Sequence, residues 1–173
     1  MKVFGITGWK NSGKTTLVAD LVTRFRQRGL SVSTVKHAHH NFDIDKPGTD
    51  SYKHRQAGAK EVLISSANRW ALMHETVGDR EPELEALLAR LSPVDLVLVE
   101  GFKRSDHPKL QVIRAGNNTE PLPASAQPLV AIVSDGDLNP SDYNCKGPLL
   151  PLEDTQKIAD FILAYSGLEK EVV

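Results

Sequence analysis

Eight consecutive residues, Gly8-Trp9-Lys10-Asn11-Ser12-Gly13-Lys14-Thr15, fit the pattern Gly-x-x-x-x-Gly-Lys-Ser/Thr at every fixed position. Glycines at both ends let a backbone wind round an anion with its N–H groups turned inward. Lys14 is spaced to reach the β- and γ-phosphates of a nucleoside triphosphate, and the Thr15 hydroxyl to ligate Mg²⁺. The competing reading is a Gly-rich turn that binds nothing, but it leaves the Lys-Thr pair unexplained. Context favours the phosphate loop. The pattern follows a short β-rich run, Lys2 to Thr7, and opens a stretch with apolar residues at Leu17, Leu21, Val22 and Phe25, the stripe of one helix face. A helix N-terminus there places partial positive charge on the same anion.

A phosphate site of this kind needs a carboxylate near its metal, at the end of a neighbouring strand. Val94 to Val99 is nearly all apolar, as in a strand buried on both faces of a parallel sheet, and it runs into Glu100-Gly101-Phe102. Glu100 is therefore the expected metal-side acid, against the alternative of a solvated strand-end carboxylate. A carboxylate is also what distinguishes guanine, whose ring N1–H and exocyclic amine both donate. The familiar Asn-Lys-x-Asp motif is absent, yet Val130 to Val133 leads into Ser134-Asp135, where a base-reading loop would begin. Asp135 is the candidate; its other reading is a turn-forming Asp ahead of Gly136.

The remaining elements must hold these residues in place. Ser31 to Lys36 alternates with period two and reads as a strand, followed by a polar stretch from His37 to Gly48. Thr49 or Asp50 can cap a short helix ending at Gly58. Glu61 to Ser65 and Trp70 to His74 form a hairpin. Leu84, Leu87, Leu88 and Leu91 keep helical spacing behind Pro82, and Leu110 to Ile113 and Leu129 to Val133 are further strands. Ala115 to Gln127, rich in Asn, Pro, Ser and Gly, is expected to be a mobile loop. Ile158, Phe161, Ile162 and Tyr165 mark a last amphipathic helix closed by Gly167. The alternation predicts an α/β fold, a mainly parallel sheet flanked by helices with an antiparallel hairpin extension, and the phosphate loop at its first strand–helix turn makes it P-loop NTPase-like. A single domain over residues 1–173 is expected, with the hairpin, about residues 59–75, as a contact for dimerisation.

Composition agrees. At 173 residues the chain is one domain long and can bury about two-thirds of its unfolded surface, so no disulfide or structural metal is needed. Twenty-one Lys plus Arg against 22 Asp plus Glu gives a net charge of −1, which speaks against a duplex nucleic acid partner. A single cysteine, Cys145, excludes a disulfide framework and a Cys-rich zinc site. The longest apolar run, Leu129 to Val133, is far below the ~20 residues of a membrane span, and no signal peptide is readable. A soluble, cytoplasmic protein is expected.

Several further motifs stand in order along the chain: Lys36-His37-Ala38-His39-His40, then Asp43-Ile44-Asp45-Lys46-Pro47-Gly48-Thr49-Asp50-Ser51, Ala57-Gly58-Ala59, Arg69-Trp70-Ala71-Leu72 and Val99-Glu100-Gly101-Phe102-Lys103. With the phosphate loop, they give a chain that resembles the MobB family, GTP-binding proteins of molybdopterin guanine dinucleotide biosynthesis. The resemblance spans roughly residues 2 to 135 and the final helix. It implies a homodimer of P-loop α/β subunits with weak GTP hydrolysis. It also implies partnership with the MobA guanylyltransferase that joins GMP to molybdopterin, and leaves direct binding of molybdopterin itself open. The family's phosphate-binding role carries onto Asn11, Ser12, Gly13, Lys14, Thr15 and Thr16, and its strand-end acid onto Glu100. GTP and Mg²⁺ are the implied ligands.

The cluster of His37, His39 and His40 with Asp43 and Asp45 has three readings: a switch loop sensing the nucleotide, a site for the pterin's phosphate or metal, or a solvated polar loop. The ligand spacing is loose and no cysteine supports it, so no transition-metal site is assigned. Asp50 either caps a helix or serves the metal side. Two other functions compete with the adapter. A P-loop small-molecule kinase needs an Arg-bearing lid, and Arg69, Arg80, Arg90, Arg104 and Arg114 are scattered. A metal-delivery GTPase would carry a His-rich tail or a Cys site. Hydrolysis is expected to be slow at most, because no arginine finger or water-orienting glutamine is readable and such a gap costs about 10³- to 10⁵-fold.

Overall fold

The structure is a computed structural model, and it describes residues 1–38, 42–76, 78, 80–117 and 119–169. Contacts divide the chain into two compact units, Met1–His37 with Leu87–Val173, and Ala38–Ala86.

The first unit is built on a six-stranded sheet. Its strands are β1 (Lys2–Thr7), β2 (Val32–Lys36), β5 (Leu96–Glu100), β6 (Lys109–Ile113), β7 (Leu129–Ser134) and β8 (Leu149–Pro151), in the order β2-β5-β1-β6-β7-β8. Every pairing in it is parallel. Helices α1 (Lys14–Gln27) and α4 (Thr155–Ser166) pack together and against β1. Period two in the strands sends Phe4, Ile6, Leu96, Leu98, Leu110 and Val112 into one apolar cluster, where they meet Leu17, Leu21 and Phe25 of α1 and Ile158 and Ile162 of α4. Each such side chain, fully buried, contributes about 1.5–3 kcal/mol. A smaller cluster of Ile113, Leu122, Ala126, Leu129, Ile132, Tyr143 and Cys145 packs apart from it. Leu122 and Ala126 belong to the stretch expected to be mobile. Their burial anchors it, because apolar side chains among its polar residues find the cluster.

Polar groups are buried too. Lys109 donates to the carbonyls of Ser105 (2.9 Å) and Gln127 (3.1 Å), and burial pushes its pKa down to about 8. His107, likewise buried, is pushed down to about 4, chiefly by burial, with Lys109 adding to the shift. It therefore packs as a neutral ring near pH 7.

The second unit holds α2 (Asp50–Gln56) and a hairpin of β3 (Glu61–Ser65) and β4 (Trp70–His74), paired antiparallel with Val62 opposite Met73 and Leu63 opposite Leu72. Val62 and Met73 are buried, whereas Leu63, Trp70 and Leu72 on the other face stand exposed at 62%, 68% and 41%. α3 (Leu84–Leu88) begins with its one buried residue, Leu84. It is shorter than expected: beyond Leu88 the chain tightens into i→i+3 bonds, Arg90 N–H to the Leu87 carbonyl and Leu91 N–H to that of Leu88, both 3.1 Å. Among the described residues no helix is long and apolar enough to cross a membrane.

Candidate functional site

The loop between β1 and α1 is shaped by its own backbone. Gly8 has φ +146°, and a Cβ there would stand 2.5 Å from the Val112 carbonyl oxygen of β6 and 3.0 Å from Ser12 Oγ. Only glycine lets the chain leave the sheet along this line. Asn11 (φ 62°) and Gly13 (φ 91°) are also left-handed, and such alternation forms an anion-binding concavity. Gly13 caps α1 without a side-chain hydrogen bond, and the first turn holds no acidic residue. The helix thus keeps its N-terminal N–H groups and partial positive charge for something outside it.

Lys14 crosses the loop, donating from Nζ to the Trp9 carbonyl (2.6 Å) and to Ser12 Oγ (3.4 Å). Burial lowers its pKa, opposed by Glu100 and reinforced by the charges of Lys103 and Lys36. Beside it Thr15 Oγ1 donates to Glu100 Oε1 at 2.9 Å. The Lys36 ammonium lies 3.3 Å from that hydroxyl and 3.4 Å from that carboxylate oxygen. Neighbouring strands make this triangle. Glu100 ends β5 level with Ile6 of β1 on one side and Lys36 of β2 on the other. The Glu100 carboxylate is buried, whereas Lys36 is 58% exposed.

After Glu100 the chain turns sharply. Gly101 (φ 96°) leaves no room for a side chain, because a Cβ would meet His37 Cβ at 2.8 Å. Phe102 follows at φ 45°, a conformation rare for a bulky residue. The His37 ring stacks on it with centroids 4.6 Å apart, and the His37 N–H donates to the Glu100 carbonyl at 2.9 Å. The turn delivers Lys103 to the Trp9 ring, Nζ 4.3 Å from its centroid, where burial lowers its pKa.

The opposite rim comes from the connection after β6. Arg114 Nη2 lies 3.9 Å from where a Cβ on Gly13 would stand, and its Nε is 3.4 Å from Asp135 Oδ2. Asp135 Oδ1 accepts the Ala115 N–H at 2.6 Å. Asn117 Nδ2 donates to the Lys10 carbonyl (3.2 Å), and the Trp9 indole N–H to the Glu120 carbonyl (2.7 Å). Lys14, Lys36, Lys103 and Arg114 thus surround the loop, opposed by the carboxylates of Glu100 and Asp135. On a chain of net charge −1 this is a local positive field aimed at an anion.

Asn11, Ser12, Gly13, Lys14, Thr15 and Thr16 are consecutive in the loop and the first turn of α1, and β5 brings Glu100 to Thr15. Asp135 reaches the rim, with its carboxylate engaged by Ala115 and Arg114. His37 joins the site as a packing ring behind Glu100; His39 and His40 lie outside the described residues. Asp43 and Asp45 belong to the second unit, where both bind Arg55 of α2, at 2.8 and 2.7 Å. Thr49, rather than Asp50, caps α2, its Oγ1 accepting the Tyr52 N–H at 3.4 Å. Asp50 instead faces Lys53 across the exposed helix surface. Among the described residues no group of three or more His, Cys, Asp or Glu side chains could hold a metal ion. The sequence assigns Lys36, Lys103 and Arg114 no role, since each reaches the loop only through strand order or a turn. Only Lys103, three residues past Glu100 in a Gly-Phe-Lys run, carried a usable signal.

A family model described as molybdopterin guanine dinucleotide synthesis protein B, MobB, matches residues 3–135. The chain is 38% identical over 167 residues to the molybdopterin-guanine dinucleotide biosynthesis adapter protein of Escherichia coli (strain K12), covering 94% of this chain and 92% of that one. It is 37% identical over 160 residues to the same adapter of Haemophilus influenzae, covering 92% and 86%. Its fold matches the crystal structure of Bacillus subtilis MobB with a TM-score of 0.77 at 24% identity, over 99% of this chain and 100% of the other.

Proposed function

The chain belongs to the MobB family of molybdopterin guanine dinucleotide biosynthesis adapters, and on that premise we propose that its phosphate loop holds GTP with Mg²⁺ and hydrolyses it slowly. The observation that carries this reading is the uncapped start of α1, wrapped by a left-handed loop and ringed by Lys14, Lys36, Lys103 and Arg114. An anion there meets backbone N–H groups, a helix dipole and ammonium groups together.

The donor set suits Mg²⁺. Thr15 Oγ1 and Glu100 Oε1 are hard oxygen ligands 2.9 Å apart, and the Lys36 ammonium beside both marks a place where positive charge is stabilised. Lys36 is exposed enough to swing aside. A bound ion supplies charge neutralisation on the β- and γ-phosphate oxygens. The chain supplies the rest: Lys14 holds the phosphates, Thr15 and Glu100 hold the ion, and Thr16 extends the first turn of α1. With Glu100 given to the ion and no arginine finger or water-orienting glutamine readable in the sequence, hydrolysis is slow. Asp135 accepts from the guanine edge. Its contacts with Ala115 and Arg114 use one lone pair on each oxygen and leave the others available.

The protein then works in the cytoplasm as a homodimeric adapter for a MobA-type guanylyltransferase and its molybdopterin substrate. The exposed Leu63, Trp70 and Leu72 of the hairpin form the dimer contact. Sedimentation at micromolar concentration should give twice the chain mass, and Leu63→Asp should reduce it to one; a wild-type monomer rejects the contact.

Competition between GTP and ATP, with and without Mg²⁺, tests the central reading. The wild type should prefer GTP, Asp135→Asn should erode that preference about tenfold, and Glu100→Gln should remove most of the Mg²⁺ dependence. Equal affinity for both nucleotides, unaltered by Asp135→Asn, would refute guanine choice at this site. Absence of binding to either would refute the reading altogether.

A further inference from the structure

We propose that Lys103 is the residue by which this site distinguishes a nucleoside triphosphate from a diphosphate, leaving the Trp9 ring to contact the terminal phosphate. The inference rests on the nucleotide reading above and adds a residue that the phosphate-loop pattern does not contain.

The backbone shows an unusual effort to bring Lys103 to the loop. Gly101 and Phe102 are successive left-handed residues, and at Phe102 the conformation is one that bulky side chains rarely adopt. The His37 ring, stacked on Phe102, and its Cβ, close against Gly101, hold that turn closed. A chain needing only to leave β5 has easier routes.

What the turn delivers is a stored cation. Among the described residues no carboxylate lies within ion-pair distance of Lys103; its partner is the face of Trp9, the second residue of the phosphate loop. That ring is a fixed platform, since its indole N–H is bonded to the Glu120 carbonyl. A partly buried ammonium on a π face has lost water without gaining a counter-ion, so an arriving anion gains its full attraction. Lys103 also lies close enough to Lys14 for its charge to lower the Lys14 pKa. Two ammonium groups sharing one site are best stabilised by the ligand with the greater negative charge, and a triphosphate exceeds a diphosphate in that respect.

Trp9 supplies the readout. In a Trp70→Phe background it is the only tryptophan. A non-hydrolysable GTP analogue and GDP, each with Mg²⁺, are titrated against this protein and against Lys103→Gln and Lys103→Arg. Lys103→Gln keeps much of the stem on the ring but removes the charge. We expect it to lower the triphosphate-to-diphosphate affinity ratio about tenfold, with Lys103→Arg keeping most of the ratio. Trp9 emission should change with the analogue and not with GDP, and only while residue 103 is cationic. An unchanged ratio, or equal loss for both nucleotides, means that Lys103 merely packs on Trp9, and overturns the proposal while nucleotide binding stands. Binding of neither nucleotide by the parent protein removes the nucleotide reading and this inference with it.

Discussion

Lys14→Ala should lower GTP affinity at least about a hundredfold while leaving the fold intact, because charge-assisted hydrogen bonds to phosphate are worth about 1.5–3 kcal/mol each. Lys14 stands at the start of α1 with its ammonium drawn across the loop to the Trp9 carbonyl and Ser12 Oγ. Burial already disfavours its charge, so the group has much to gain from an anion and little from its present neutral partners. None of the apolar contacts that hold α1 to the sheet involves it; those come from Leu17, Val18, Leu21 and Phe25. Circular dichroism of the variant should therefore match the parent. Equilibrium dialysis provides the check, and unaltered GTP binding would contradict the assignment of this loop.

Gly8→Ala should have the largest effect on stability of any substitution in the loop. A methyl group at this position meets the Val112 carbonyl oxygen at 2.5 Å and also forces an L side chain to adopt φ +146°. The first obstacle is backbone in a central strand, which cannot turn aside as a side-chain tip can. Overpacking and backbone strain each cost about 1–3 kcal/mol, so a combined loss of about 3–5 kcal/mol is expected. For a chain of this size that corresponds to roughly 10 °C in melting temperature. Any variant that survives should bind GTP poorly, since relief of the contact moves the loop away from β6. A melt within about 2 °C of the parent would show that the close approach carries no weight.

Much of the fold was legible because it is local. The hairpin of β3 and β4 has the limits its two apolar runs suggest, and α4 ends at Gly167 as expected. β8 escaped notice. Leu149 and Leu150 lie between Pro148 and Pro151, and proline ordinarily argues against a strand. An edge strand tolerates it, because only one side must supply hydrogen bonds, and β8 pairs with β7 alone. The anchoring of the connection after β6 is hidden in the sequence for a different reason. Its polar composition hid Leu122 and Ala126, whose burial depends on a cluster formed by distant residues.

Asp43 and Asp45 make the same point at the level of chemistry. Their spacing near three histidines leaves a nucleotide switch, a pterin or metal site and a solvated loop all open, and it gives no sign that Arg55, ten residues beyond Asp45 and twelve beyond Asp43, takes both carboxylates. Asp135 stood at a strand end, where either a base or a turn could claim it. Its contact with Ala115 required the adjacency of β6 and β7.

Residues 8 to 15 are contiguous, so glycine freedom, helix polarity and the Lys-Thr pair were determined by the chain alone. Which cations surround that loop was decided only in three dimensions. Lys36 and Glu100 are 64 residues apart, and they meet because β2 lies beside β5 in the sheet. Lys103 and Arg114 reach the loop through a strained turn and the end of β6. Strand order sets these meetings, and it depends on how apolar faces pack over the whole domain, which no local run of residues encodes.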